Sequence, residues 1–185
     1  QKITQRTTFA EMRRNMSEEI NAVEEQEIEE GKKQFMTFLC CDEIYGISLE
    51  HVNEIIGLQQ YTSVPETEDY IRGLINLRGK VIPIIDVRIR FGRESLEYND
   101  RTSVIVIQVK GTVIGLIVDG IEGVADIREA DIVPPPSVSD LKIQSRKYVY
   151  GIGRVGNDVK LLLDPEKLIA HPDEEKDESV DEEEE

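Results

Sequence analysis

The sequence predicts a mainly β protein made of two similar small barrels side by side, with little helix. Three observations carry this. The middle of the chain holds four hairpin signals, its apolar residues fall in strand-length runs, and the pattern of the first half returns in the second. Four hairpins with exposed edges are best satisfied by sheets that close on themselves.

Taken in order, residues 1–33 form a charged arm, helical or disordered. Phe9, Met12, Met16, Ile20 and Val23 share one helical face, but the Glu24–Glu30 run that follows has almost nothing to bury. The first hairpin joins residues 33–41 to 44–49 across Asp42-Glu43, and His51 to Ile55 then reads as a short helical stretch. The second hairpin joins 70–77 to 80–85 across Arg78-Gly79. The third joins 103–109 to 112–118 across Lys110-Gly111. The fourth joins 148–155 to 158–163 across Gly156-Asn157, where glycine permits positive φ. Asp86 and Asp164 each follow an apolar strand and precede a short amphipathic stretch. Both are expected to cap a helix N-terminus, helped at the second by Pro165 in the first helical position.

Shifted by 69 residues, Gly46–Val52 lies on Gly115–Ile121. Shifted by 78, Ile71–Leu74 lies on Val149–Ile152 and Ile84–Asp86 on Leu162–Asp164. The nine-residue difference is a longer loop between Asp131 and Arg146, marked by Pro134-Pro135-Pro136. Each half thus reads hairpin, short helix, strand, hairpin, short helix, with a split near residues 92–100. Two such halves leave a groove between them, where binding sites tend to form.

Charge removes several function classes. The formal net charge is −16, and the 13 residues 173–185 contribute −9 of it, so that segment is expected to be a disordered acidic tail. Residues 34–172 carry only −5, an ordinary balance for a folded domain. A nucleic-acid binder would need a basic face, which is missing. No apolar run approaches membrane-span length and no leader pattern opens the chain, so a cytoplasmic protein is expected. Cys40 and Cys41 are adjacent, which on a strand aims them at opposite faces; they make neither a CxxC pair nor a disulfide framework.

The chemistry of an enzyme is equally hard to find. His51 and His171 are the only histidines, and phosphate-binding loops, zinc motifs and a nucleophile elbow are all absent. No catalytic residue, metal or cofactor is expected. Glu54 and Arg78 suit recognition better, because an Arg at a rigid turn is a good anchor for a partner's carboxylate or amide. It is equally a solvated turn residue on spacing alone.

The run from Gly73 to Arg88, GLINLRGKVIPIIDVR, closely resembles the chemotaxis coupling family CheW, whose signature is an NLRG turn, a strand with Pro, and Asp-x-Arg. Tyr45–Leu49 with Val52-x-Glu54-Ile55, Tyr98-Asn99-Asp100, Val118–Ile121, Gly151–Gly153 and Asp164–Leu168 fit the same pattern in order. The resemblance covers roughly residues 34–170. It implies two five-stranded SH3-like β-barrels related by a pseudo-twofold, with strand exchange between halves possible, and a CheW-like domain over 34–172.

The function it implies is that of a non-enzymatic adaptor in a two-component chemotaxis pathway. Such an adaptor joins the helical hairpin tip of chemoreceptors (methyl-accepting chemotaxis proteins) to the regulatory domain of the histidine kinase CheA. It works in the cytoplasm beside membrane receptor arrays, with no nucleic acid and no membrane insertion. By position, Val52, Glu54, Gly73 and Arg78 match receptor-binding residues, and Gly115, Ile121 and Val138 match kinase-binding residues, Gly115 and Ile121 being assigned to the second barrel. Gly73 and Gly115 equally fit tight bends in a barrel. Two alternatives stay open: the CheW-like regulatory domain of a chemotaxis kinase, or a double-barrel module that binds a small ligand.

Overall fold

The computed structural model describes residues 31–136 and 144–171. Residues 1–30 of the expected arm, the acidic tail and Val138 lie outside the described residues, while Lys32 and Lys33, also assigned to the arm, begin the first strand. The elements are β1 (Lys32–Cys40), β2 (Glu43–Ser48), β3 (Val52–Gly57), β4 (Ile71–Leu77), β5 (Lys80–Asp86), α1 (Val87–Arg90), β6 (Ser103–Val109), β7 (Thr112–Val118), β8 (Gly120–Arg128), β9 (Ile132–Val133), β10 (Val149–Val155), β11 (Asp158–Leu163) and α2 (Pro165–Ile169), with short 3-10 turns at Leu49–His51, Glu129–Asp131 and Gln144–Tyr148.

All four expected hairpins form, within a residue or two of their expected ends. The Arg78-Gly79 and Lys110-Gly111 turns have positive φ at both positions, the backbone twist that two-residue hairpins favour. Both caps form as well. Asp86 accepts the backbone N–H of Arg88 and Ile89, and Asp164 accepts those of Glu166 and Lys167. The expected helical stretch from His51 to Ile55 does not form. Leu49–His51 is a single 3-10 turn, and Val52 starts strand β3, paired with β6 from Val52↔Ile107 to Gly57↔Ser103. Its β-branched residues sit better on a pleated surface, and β6 offers an otherwise unpaired edge.

The two sheets do not correspond to the two sequence halves. One has the order β3-β6-β7-β5-β4 and the other β8-β1-β2-β11-β10-β9. Each repeat therefore lends its first hairpin to the other repeat's sheet. Two parallel pairings make the join, Ile84↔Gly115 between β5 and β7, and Leu162↔Gly46 between β11 and β2. These pairs are equivalent under the 69- and 78-residue shifts, so the exchange is symmetric. Short connectors enforce it. Leu49–His51 carries the chain from β2 to β3, and Asp119 alone carries it from β7 to β8.

The expected groove between halves is largely filled. The largest core lies between the sheets and takes Phe38, Tyr45 and Ile47 from one side and Ile85, Ile105, Ile107 and Leu116 from the other. A second cluster (Ile75, Ile82, Ile84, Val104, Val106, Ile117) occupies the outer face of the five-stranded sheet, and a third (Phe35, Ile127, Leu162) the outer face of the other. Strands β6 and β7 are thus covered on both faces, which explains their nearly continuous apolar sequences. All five strands of one sheet contribute to its outer cluster, with Ile56 of β3 and Leu77 of β4 at the two edges. That arrangement is compatible with a curled, barrel-like sheet.

Arg90 closes the junction. It is 8% exposed, donates from Nε to the Leu168 carbonyl at 3.0 Å and from a terminal nitrogen to the Ala170 carbonyl at 2.6 Å, and lies over the Tyr70 and Tyr148 rings. A guanidinium can satisfy several carbonyls while its flat faces stack on aromatics, which makes its burial tolerable.

Candidate functional site

The first group of site residues gathers on the five-stranded sheet. Glu54 sits on edge strand β3, and Arg78 sits at the tip of the β4–β5 hairpin with φ +51°. The tip is fixed by the Gly79 N–H, which donates to Asn76 Oδ1 at 2.8 Å. From there the two terminal guanidinium nitrogens of Arg78 donate to Glu54 Oε1 and Oε2 at 2.7 and 2.6 Å. This parallel fork ties one edge of the sheet to the other. The hydrogen bond from Arg78, and then its charge, hold the Glu54 carboxyl below its ordinary range; the same pair raises Arg78. The Arg78 side chain is still 75% exposed, against 24% for Glu54. The sequence offers Arg78 both as an anchor for a partner's carboxylate or amide and as a partner for Glu54, and in the structure its two terminal nitrogens are engaged by Glu54.

Val52 is half-buried and packs against the central core, while Ile55 on the same strand is 39% exposed and Val81, on the β4–β5 hairpin, 64% exposed. Gly73 has φ +147°, and a Cβ there would overlap the Thr62 carbonyl. Thr62 pairs with Leu74 through two backbone hydrogen bonds at 2.8 and 2.9 Å, so the chain passes too close for any side chain.

Ile121 and Val124 lie on β8, the opposite edge strand, and are 37% and 53% exposed. They are the repeat equivalents of Val52 and Ile55, and Val159, 54% exposed, is that of Val81. Each half therefore presents an edge strand and a hairpin with apolar residues at matching positions. The charges do not match. Gly123 and Gly156 stand where Glu54 and Arg78 would be. Gly115 does not join this second group, contrary to its assignment to the second barrel. It is buried in β7, in the five-stranded sheet, because the hairpin exchange moves β7 there. A Cβ at Gly115 would come within 2.7 Å of Val104 Cγ1 and 2.8 Å of Ile84 Cγ2.

Two features escaped sequence reasoning. Asp119, the crossover residue, accepts the Cys41 N–H at 2.9 Å and pairs with Arg88 of α1. Arg88 belongs to the Asp-x-Arg signature, but its partner lies 31 positions away and has no local signal. The second feature is a cleft of about 620 Å³ at one end of the sheet junction, lined among others by Val109, Lys110, Ile114, Tyr148, Glu166 and Ile169. Among the described residues, no group of three or more His, Cys, Asp or Glu could hold a metal, and no helix is long and apolar enough to cross a membrane.

Two repeat-related halves locked through a common core, each offering an exposed apolar edge, define a rigid β scaffold for protein partners. The family model of the CheW-like domain matches residues 34–173. Chemotaxis protein CheW of Klebsiella aerogenes is 36% identical over 138 residues, covering 75% of this chain and 82% of that protein. Its counterpart in Bacillus subtilis is 35% identical over 144 residues, covering 76% and 92%. The crystal structure of the scaffolding protein TtCheW from Thermoanaerobacter tengcongensis superposes with a TM-score of 0.69 at 32% identity, covering 76% of this chain and 94% of that one. The chain belongs to the CheW family of chemotaxis scaffold proteins.

Proposed function

We propose that this protein is the adaptor through which chemoreceptors control the histidine kinase CheA, and that its two repeat-related faces serve the two partners. The observation that carries the reading is the mismatch between those faces. Both present apolar residues on an edge strand and a hairpin, but only the β3 face carries the Glu54–Arg78 fork.

An amphipathic helical hairpin tip, with apolar anchors and a polar rim, suits the charged face around Val52, Glu54 and Arg78. The kinase's regulatory domain, which shares the double-barrel fold in this family, suits the β8 face at Ile121 and Val124, which lacks the fork, sheet against sheet. Gly73 and Gly115 support the five-stranded sheet from within by letting backbone and side chains pack closely, while Val138 is kept as a kinase contact on the resemblance alone. No chemistry is assigned to the protein. It holds two partners in fixed geometry in the cytoplasm beside the receptor array, so that small receptor motions reach the kinase.

Titration calorimetry with the CheA regulatory domain of the same organism tests this. Saturable one-to-one binding, weakened by a charge at Ile121 and unaffected by Arg78→Ala, is the expected result. A folded sample that binds neither the kinase domain nor a receptor tip fragment overturns the reading.

A further inference from the structure

The chain has two cysteines, and they are adjacent. On a regular strand their side chains would diverge. The fold brings them together instead, because β1 ends at Cys40 and both turn residues, Cys41 and Asp42, adopt left-handed backbone with φ of 55° and 66°. That reversal swings Cys41 back until the two Sγ atoms are 3.6 Å apart. Cys40 is fully buried and Cys41 half-buried.

The turn is held by contacts from outside the hairpin. Asp119 accepts the Cys41 N–H at 2.9 Å, donates its own N–H to the Leu39 carbonyl at 3.1 Å, and is itself clamped by Arg88. The two thiols are therefore set in place before anything binds. A small cavity of about 150 Å³ lies beside the turn, lined among others by Leu39, Asp42, Arg88 and Asp119.

The spacing selects among ligands. A soft centre bonded at about 2.3 Å to each sulfur spans about 3.8 Å at a tetrahedral angle and about 3.3 Å at a right angle. The observed 3.6 Å falls between them. A linear two-coordinate ion would need about 4.6 Å. Zinc would need two further protein ligands, and no group of three or more suitable residues occurs among the described residues. A pyramidal centre that brings its own third substituent needs only the two thiols. A direct disulfide fits worse, since neighbouring Cα atoms stand about 3.8 Å apart where disulfides prefer about 4.4–6.8 Å.

We propose that Cys40 and Cys41 form a dithiol site for a trivalent organoarsenical or a similar pyramidal, thiophilic centre. With an organoarsenic oxide the step is a condensation. Two As–S bonds form, the bonds from arsenic to its oxide oxygen break, and that oxygen leaves as water with the two thiol protons. Nothing is oxidised or reduced. Cys41 attacks first, since it is accessible and its thiol is pulled down by hydrogen bonding from Cys40 and by the Arg88 charge. Cys40, whose thiol is pushed up by its hydrogen bond to Cys41 and by burial, then closes the ring.

The probe is phenylarsine oxide, added to the full native chain and followed by intact mass. One phenylarsenic adduct per chain is expected, stable to excess 2-mercaptoethanol and released by 2,3-dimercaptopropanol. Ring closure makes the second bond intramolecular, so release to the monothiol should be at least about tenfold slower than from Cys41→Ser or Cys40→Ala. Circular dichroism verifies each variant's fold, and the half-buried Cys41→Ser is decisive if the buried variant does not fold. An adduct removed by the monothiol overturns the site. So does retention unchanged in Cys41→Ser, or labelling that appears only in denaturant.

Discussion

Arg78 and Glu54 meet in a two-bond fork at 2.7 and 2.6 Å, joining the tip of one hairpin to the far edge strand of the same sheet. They are 24 residues apart, and neither side chain is buried enough for the pair to be a packing element. Its value lies in fixing where a charge stands beside the exposed apolar residues Ile55 and Val81.

Arg78→Ala should therefore weaken binding of a receptor tip fragment by about tenfold or more, as loss of a central Arg contact does. The melting temperature should move by less than about 3 °C. Calorimetry on the variant, beside a thermal melt, separates the two effects. Unchanged affinity in a folded sample removes Arg78 from the receptor site.

The same pair sets a pH dependence. Arg78 holds the Glu54 carboxyl below its ordinary value of 4.5. A depressed carboxyl contributes while ionised, so the fork is present above pH 4.5 and is lost as pH falls through the lowered value. Carbon-detected NMR should find the Glu54 titration below 4.5 in the native protein and shifted upward in Arg78→Ala. Identical midpoints would mean that the fork does not form in solution.

Gly73→Ala and Gly115→Ala should both reduce partner binding by reducing stability. At Gly73 the added carbon meets backbone in a strained conformation, and about 3 kcal/mol or more should be lost. At Gly115 it meets side-chain methyls that can shift, so about 1–3 kcal/mol is expected. Urea denaturation ranks them. Full stability with lost binding in either variant would instead make that glycine a direct contact.

Ile121→Glu places a charge on the exposed β8 edge and should lower affinity for the kinase regulatory domain at least tenfold, leaving the receptor fragment bound as before. Equal losses for both partners would show that the two faces are not separate.

Much of this was legible in the chain. Arg78-Gly79 and Lys110-Gly111 mark turns because their backbone demands are local, and Asp86 and Asp164 announce caps because a short carboxylate beside free N–H groups needs no distant partner. The repeat likewise showed that Ile84–Asp86 and Leu162–Asp164 would be equivalent. The helical stretch expected from His51 to Ile55 fails for the opposite reason: strand β3 exists there only because β6, some fifty residues on, offers an edge.

What the sequence determined by itself is the set of hairpins, the caps and the twofold pattern. The tertiary structure decided which hairpin joins which sheet. Because the repeats share one pattern, either first hairpin fits either sheet, and the choice rests on connectors too short to fold back: Leu49–His51 on one side, Asp119 on the other. The same crossover placed Gly115 in the five-stranded sheet, filled the space between halves with core, and set Asp119 against the Cys41 N–H. None of these carries a local signal, because each depends on contacts between residues far apart in the chain.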